Sequence, residues 1–325
     1  MPRSRKQPSG SLLTVVIALA ANVLVALAKS AAALLTGSAS MVAEAAHSWA
    51  DSGNEVFLLI AERRSARAPD ALHPLGYGRD VYVWSLFAAV GLFTVGAVVS
   101  IQHGITELTS DEPSENALIA YLVIGVSFLL EGASFLRSVK QLRGSAAEQE
   151  QEVLQHVLAT SDPTVRAVFF EDAAALIGLA IAAAGIALHE ITGSAVYDAI
   201  GSILIGVLLG VVAVMLIQLN RRFLIGQSPS PRIRDAVLRM LAQQPEVASV
   251  SYLHLEYVGS ARVFLVAAVD LVGDAVEHET AARLVAVARD IERDDHVVEA
   301  VLTLSEPGVA PLAVATEPVS SELPR

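Results

Sequence analysis

The sequence contains no cysteine, which excludes disulfides and thiolate metal ligands together. Charge is scarce as well. Asp, Glu, Lys and Arg make up 17% of the 325 residues, against 54% hydrophobic. With a mean hydropathy of +0.54, a chain of this length reads as a membrane protein carrying one soluble appendage. Positive charge is the scarcer sign, and the net charge is −12. A phosphate binder needs a basic footprint, so a nucleic-acid partner is excluded. No nucleophile–base motif or phosphate loop stands out, so neither an enzyme nor a bound cofactor is expected. Any metal would have to be held by His, Asp, Glu or Asn.

What the chain does have is long apolar runs. Six segments reach the roughly 20 residues a bilayer core requires: about 12–36, 38–61, 80–103, 117–139, 164–187 and 195–219. The first follows Arg3, Arg5 and Lys6 as a signal peptide would, yet Leu12 to Gly37 is too long for the apolar part of one. The second is the most polar, with Glu44, His47, Asp51, Asn54 and Glu55. Basic residues occupy the N-terminus and the connections after the second span (Arg63, Arg64, Arg67, Arg79), the fourth (Arg137, Lys140, Arg143) and the sixth (Arg221, Arg222). The connections after the third and fifth carry acid instead: Glu107, Asp111, Glu112 and Glu115, then Glu190. The positive-inside rule then puts both termini in the cytoplasm.

After about Gly226 the character changes, with Pro229 and Pro231 marking a boundary. An amphipathic helix is predicted over 232–244, strands over 247–257 and 262–272 with Gly259-Ser260 as the turn, a helix over 277–293 and a strand over 297–304. The fold class expected is therefore an α-helical membrane protein: six transmembrane helices, then a small cytoplasmic α+β ferredoxin-like domain of order α-β-β-α-β. The domain boundaries read as 1–11 (cytoplasmic segment), 12–225 (transmembrane), 226–308 (cytoplasmic) and 309–325. That last stretch is rich in Pro, Ser and Glu and reads as a disordered tail. The polar stretch 145–162 reads as a solvated connection. It holds only His156 and is not a His-rich metal-collecting loop.

The second span carries the chemistry. His47 and Asp51 are four residues apart, on one helix face, and Glu55 extends that face by a turn. Imidazole and carboxylate at this spacing make half a site for a divalent cation. The bland alternative is a buried His–Asp hydrogen bond that locks packing. In lipid neither group is a cheap structural choice. Only the fifth span offers carboxylates well inside, Glu171 and Asp172. At ~1.5 Å rise per residue, Asp51 lies ~10 Å and Asp172 ~9 Å from the inner face of a ~30 Å core, so the two can meet. Glu171 points about 100° away from Asp172. It stands as a ligand, a group behind the ligands or a proton carrier. Glu131 and Asp198 either line the ion path or bind helices together, and Asn22 and Lys29 are ambiguous.

The six spans, the His47-x-x-x-Asp51 pair, the loop Asp70-Ala-Leu-His73-Pro-Leu-Gly76-Tyr77-Gly78-Arg79 and the terminal α-β-β-α-β unit together resemble the cation diffusion facilitators. Ser161-Asp162-Pro163-Thr164, followed by Phe170-Glu171-Asp172-Ala173-Ala174, is similar to the zinc transporter 9-like subgroup. The resemblance covers about residues 12–305. It implies a homodimer that exports zinc, or Mn²⁺, Fe²⁺ or Co²⁺, from the cytoplasm in exchange for protons. Carried over by position, the transport site is His47, Asp51 and Asp172. Where many members add a donor one turn before the fifth-span Asp, this chain has Val168. The loop's Asp70 and His73 match an accessory metal site in which Tyr77 replaces a second His. The soluble domain's histidines, His254, His278 and His296, show no matching cluster, so that domain is expected to dimerise without a full metal site. Against antiport stand two other readings: a channel or proton relay for another cation, and a membrane-anchored interaction protein. With only Lys6, Lys29 and Lys140 as lysines, the Arg bias suits a GC-rich bacterial genome and a plasma membrane.

Overall fold

The computed structural model describes residues 12–109, 116–148 and 152–313. The basic N-terminal residues Arg3, Arg5 and Lys6, the acidic Asp111, Glu112 and Glu115, and Glu150 lie outside the described residues. The chain forms two compact units. One holds the described residues up to Arg63 with Val81–Arg221; the other holds Arg64–Asp80 with the described residues from Arg222 onward.

The first unit is a helical bundle built from α1 (Leu12–Thr36), α2 (Ala39–Ser65), α3 (Asp80–Gly91), α4 (Val99–Glu107), α5 (Ala117–Glu148), α6 (Val153–Ala159), α7 (Pro163–Thr192) and α8 (Val196–Leu224). A π-helical stretch, Leu92–Val98, joins α3 to α4 as one continuous rod. Among the described residues, five helices are long and apolar enough to cross a membrane: α1, the α3–α4 rod, α5, α7 and α8. The sixth expected span, α2, has the length at 27 residues but fails on composition, because its polar residues fall on the face that the bundle buries. Glu44, His47, Ser48, Ser52 and Asn54 are all buried. Leu34, Leu118 and Leu129, by contrast, are 87%, 71% and 74% exposed, as a lipid-facing surface requires. The chain is an integral membrane protein.

The core between helices holds Met41, Leu92, Leu179, Ile186, Leu209 and Leu216. Where α8 crosses α4, Gly206 sits against Ile101 and the Ala97 carbonyl, and Gly104 against Ile203 and the Ala199 carbonyl. Ser202 adds a hydroxyl bond to Ser100 O at 2.9 Å. This is the close packing that small residues permit between membrane helices.

At the α1–α2 corner every backbone N–H from Gly37 to Val42 has an acceptor. Gly37, at φ +64°, closes α1 by donating to Ala33 O. The Met41 N–H donates to Ser38 Oγ. The N–H groups of Ala39 and Ser40 donate to the carboxylate of Asp198 on α8, at 2.6 and 3.3 Å. Val42 then starts the helical ladder by donating to Ser38 O. Asp198 is therefore a helix cap supplied from another helix, which favours the helix-binding reading over the ion-path one.

The reading of 145–162 as wholly solvated is corrected. The segment forms α6, with His156 and Val157 buried. Thr160 and Ser161 accept from Arg166 and the Tyr82 hydroxyl. Val153, Leu154, Val157 and Leu158 have the spacing of an apolar helical stripe, masked by the surrounding glutamates.

The second unit contains α9 (Pro231–Ala242), β1 (Val247–Gly259), β2 (Arg262–Leu271), α10 (Glu277–Ile291) and β3 (Val297–Leu304), the expected α-β-β-α-β order. The sheet runs β1-β2-β3. The β1–β2 pair is antiparallel, with Leu255 opposite Leu265, and β3 lies parallel to β2 after the α10 crossover. Strand β2 is central, and its alternate residues Val263, Leu265, Ala267 and Val269 are buried. The turn falls one residue later than expected. Gly259 still pairs with Arg262, and Ser260-Ala261 makes the loop with Ala261 at φ 52°. The start of the expected disordered tail is fastened. Leu312 N donates to Val250 O at 2.7 Å, and residues 314–325 lie outside the described part.

Candidate metal centre

Along α2 the polar face reads Glu44, His47, Ser48, Asp51, Asn54, Glu55, one residue or pair per turn. His47 is completely buried. Its Nδ1 is 3.4 Å from Asp51 Oδ1, but no hydrogen bond forms, and His47 Nδ1, His47 Nε2 and Asp51 Oδ1 all lack a hydrogen-bond partner. Buried polar atoms are nearly always satisfied, and an orphan calls for an explanation. The alternative reading of His47 and Asp51 as a packing hydrogen bond is not realised in this geometry.

Asp51 opens into a cavity of about 390 Å³ among α1, α2, α5 and α7. Its wall carries five carboxylates, those of Asp51, Glu55, Glu131, Glu171 and Asp172, with Arg137 as the one basic side chain. Asp51 and Asp172 therefore meet across one cavity, as the depth argument expects, and Glu171 and Glu55 share it. His47 sits behind Asp51 and does not line the cavity. Val168 does, presenting an apolar surface one turn before Asp172. Among the described residues, no three His or carboxylate groups are close enough to hold an ion simultaneously. The side chains are tethered apart instead. Ser134 donates to Asp172 Oδ2 at 2.9 Å, Asn22 donates to Glu55 Oε1 at 2.7 Å, and Asn54 donates to Glu171 Oε1. The sequence reading passed over Ser134 and the amide–carboxylate pairing; their only signal is polar side chains inside apolar spans.

Within the second unit, Asp70 and His73 do adjoin each other, with His73 Nδ1 3.2 Å from Asp70 Oδ1. Both oxygens of Asp70 are already occupied. Oδ1 accepts from the backbone N–H groups of Leu72 and His73, and Oδ2 accepts from the Tyr77 hydroxyl at 2.5 Å. The Tyr77 hydroxyl and the two N–H groups pull the Asp70 pKa down to about 2, and the same carboxylate pushes the Tyr77 phenol up. The Tyr77 ring packs at a tilt against His73, centroids 4.2 Å apart, with the Arg67 guanidinium over it at 4.3 Å. This is a self-fastened loop. Next to it, Gly78 lies against the Val258 carbonyl and Arg79 pairs with Glu256. His254, His278 and His296 are all exposed and form no metal-holding group among the described residues.

A carboxylate–imidazole pair whose carboxylate opens into a carboxylate-lined intramembrane cavity is what a cation carrier needs. Residues 15–225 match the family model described as the cation efflux transmembrane domain. The chain belongs to the cation efflux family. That is a family of cation transporters, not of enzymes. Among its relatives, metal tolerance protein C4 of Arabidopsis thaliana is 41% identical over 73% of this chain and 52% of its own length. The mitochondrial proton-coupled zinc antiporter SLC30A9 is 37% identical in Xenopus laevis, over 81% of this chain and 47% of its own length. In Homo sapiens it is 35% identical over 85% and 49%. The chain spans about half the length of the curated relatives it matches.

Proposed function

We propose that this chain carries a divalent metal cation, zinc foremost, out of the cytoplasm in exchange for protons, by alternating access of the α2–α7 cavity. His47, Asp51 and Asp172 are the proposed ligands, with Glu171, Glu55 and solvent as the groups able to complete the shell. The observation that carries the reading is the set of orphaned buried atoms, both His47 nitrogens and Asp51 Oδ1, beside a wall of carboxylates. The proton-coupled zinc antiport for which the SLC30A9 relatives are named supports the choice of ion and of proton coupling. Imidazole and carboxylate give zinc a mixed nitrogen and oxygen donor set, and the carboxylates also accept Mn²⁺, Fe²⁺ and Co²⁺. Binding needs the free lone pairs of neutral His and ionised carboxylates, so protons and metal compete for the same atoms. That competition is the coupling.

In this reading both termini face the cytoplasm, the second unit's sheet domain serves dimerisation, and the membrane is a bacterial plasma membrane. The deciding experiment is zinc-driven proton flux in proteoliposomes. His47→Ala and Asp51→Ala are each expected to abolish it. Flux that survives both substitutions removes the proposal, and flux that never saturates with zinc identifies a channel instead.

A further inference from the structure

The bundle holds a second charged cluster that the transport reading does not use. Lys29 on α1 places its ammonium 2.9 Å from Glu44 Oε2 on α2 and 2.8 Å from Glu131 Oε1 on α5. The Lys29 and Glu44 side chains are completely buried, while that of Glu131 is 18% exposed. Glu131 forms part of the cavity wall with Asp51 and Asp172. Glu44 is fixed in place: its Oε1 lies against Gly178 of α7, where any Cβ would collide. Glu131 is not so confined. As with Glu44, one of its oxygens is held by Lys29 and the other has no hydrogen-bond partner, but Glu131 borders the cavity and Glu44 does not. A single carboxylate thus stands between a tethered cation and the space where a mobile cation would load.

We propose that Lys29 is a specificity-determining, tethered cation: it holds Glu131 out of the ion's coordination shell and so limits how tightly the cavity binds its cargo. This rests on the cavity being the ion-loading site. Affinity for a divalent ion climbs with the number of charged ligands, and a carrier has to let go of what it binds. With Glu131 released, the wall would offer the ion one more charged ligand and hold it too well. Lys29 engages Glu131 permanently, at a place where an ammonium needs acidic partners in any case.

Buried glue and tethered cation make different predictions. The test is zinc titration calorimetry, with transport kinetics, on the full chain. Replacing Lys29→Gln and Glu44→Gln together removes one charge of each sign. The cluster's net charge is unchanged and Glu131 is released. The dissociation constant is expected to fall by about tenfold or more as a charged ligand joins the shell, with a lower kcat. Adding Glu131→Gln to that double variant is expected to restore the wild-type constant. A smaller gain, a loss, or a gain that persists in the triple variant overturns the proposal.

If the double variant fails to fold, Glu131→Gln alone decides, because Lys29 then keeps Glu44 as its partner. Weakening of less than about tenfold supports the proposal, and a larger loss, the mark of a lost charged ligand, overturns it. No zinc binding by the wild-type chain would sink the transport reading as well. Normal wild-type binding with an unmoved variant ratio sinks this inference only.

Discussion

Asp198→Ala and Asp198→Asn separate a helix cap from an ion-path residue. The carboxylate is 2% exposed as a residue and accepts from two backbone N–H groups at the start of α2. Hydrogen bonds to a charged acceptor contribute about 1.5–3 kcal/mol each, and a negative charge at a partly buried helix N-terminus contributes up to about 2 kcal/mol. These terms overlap, since both describe one carboxylate meeting the same N–H groups. Removing a cap costs about 0.5–2 kcal/mol at the surface. With no water to replace the lost acceptor, about 3 kcal/mol is the reasonable figure for alanine. Asparagine keeps one acceptor and loses the charge, so about 1–2 kcal/mol is expected. Thermal unfolding in detergent is expected to show a drop on the order of 5–10 °C for alanine and about half that for asparagine. Zinc affinity is expected to stay within about threefold, because Asp51 lies twelve residues, or ~18 Å, along the helix from Ala39. Unchanged stability with a large loss of zinc binding would refute the capping argument and put Asp198 on the ion path.

Gly78→Ala is expected to destabilise the second unit by about 2 kcal/mol or more. The added Cβ meets the Val258 carbonyl, which is backbone and does not yield, and a melt of the full chain or limited proteolysis at 64–80 would register it. Tyr77→Phe is expected to move the Asp70 pKa up from about 2 toward the ordinary carboxylate value, as seen by NMR titration. The sign follows from the depressed folded value. Asp70 contributes stability above its unfolded pKa of about 3.9, and loses it as pH falls toward 2. Tyr77→Phe should flatten that acid limb, and an Asp70 pKa unmoved by the substitution would show that the phenol does not set it.

Element type and order were legible because bilayer length and strand alternation leave few alternatives. The run 297–304 alternates weakly, yet a strand after that helix completes the α-β-β-α-β order, and the helical crossover lets it lie parallel to β2. The turn was misplaced by one residue because Gly259 looks like the natural turn residue, whereas the strand keeps it and Ala261 takes the positive φ. The π-helical stretch Leu92–Val98 had no signature. It lies where Leu209 of α8 presses on Gly96, a contact no local pattern announces. His156 was misjudged for the opposite reason: local polarity was obvious, and the short apolar stripe beneath it was discounted.

The candidate site was half legible, and the division has a physical cause. His47 and Asp51 share one helix, so a spacing rule finds them, and depth in the bilayer finds Asp172. No such rule joins Lys29 to Glu131, 102 positions away, or Asn54 to Glu171, 117 positions away. Yet in lipid each of these groups must find a partner inside the protein. That obligation narrows the possibilities. Spans one, two, four and five carry Asn22, Lys29, Glu44, Asn54, Glu55, Glu131 and Glu171, and each ends in a pair with another of the set. His47 and Asp51 are the members left over, adjacent at 3.4 Å without a hydrogen bond. In an apolar bundle the groups without partners are free to meet an ion, and pairing off the remainder points to two of the three proposed ligands; Asp172, held by Ser134, has to be found by its depth instead.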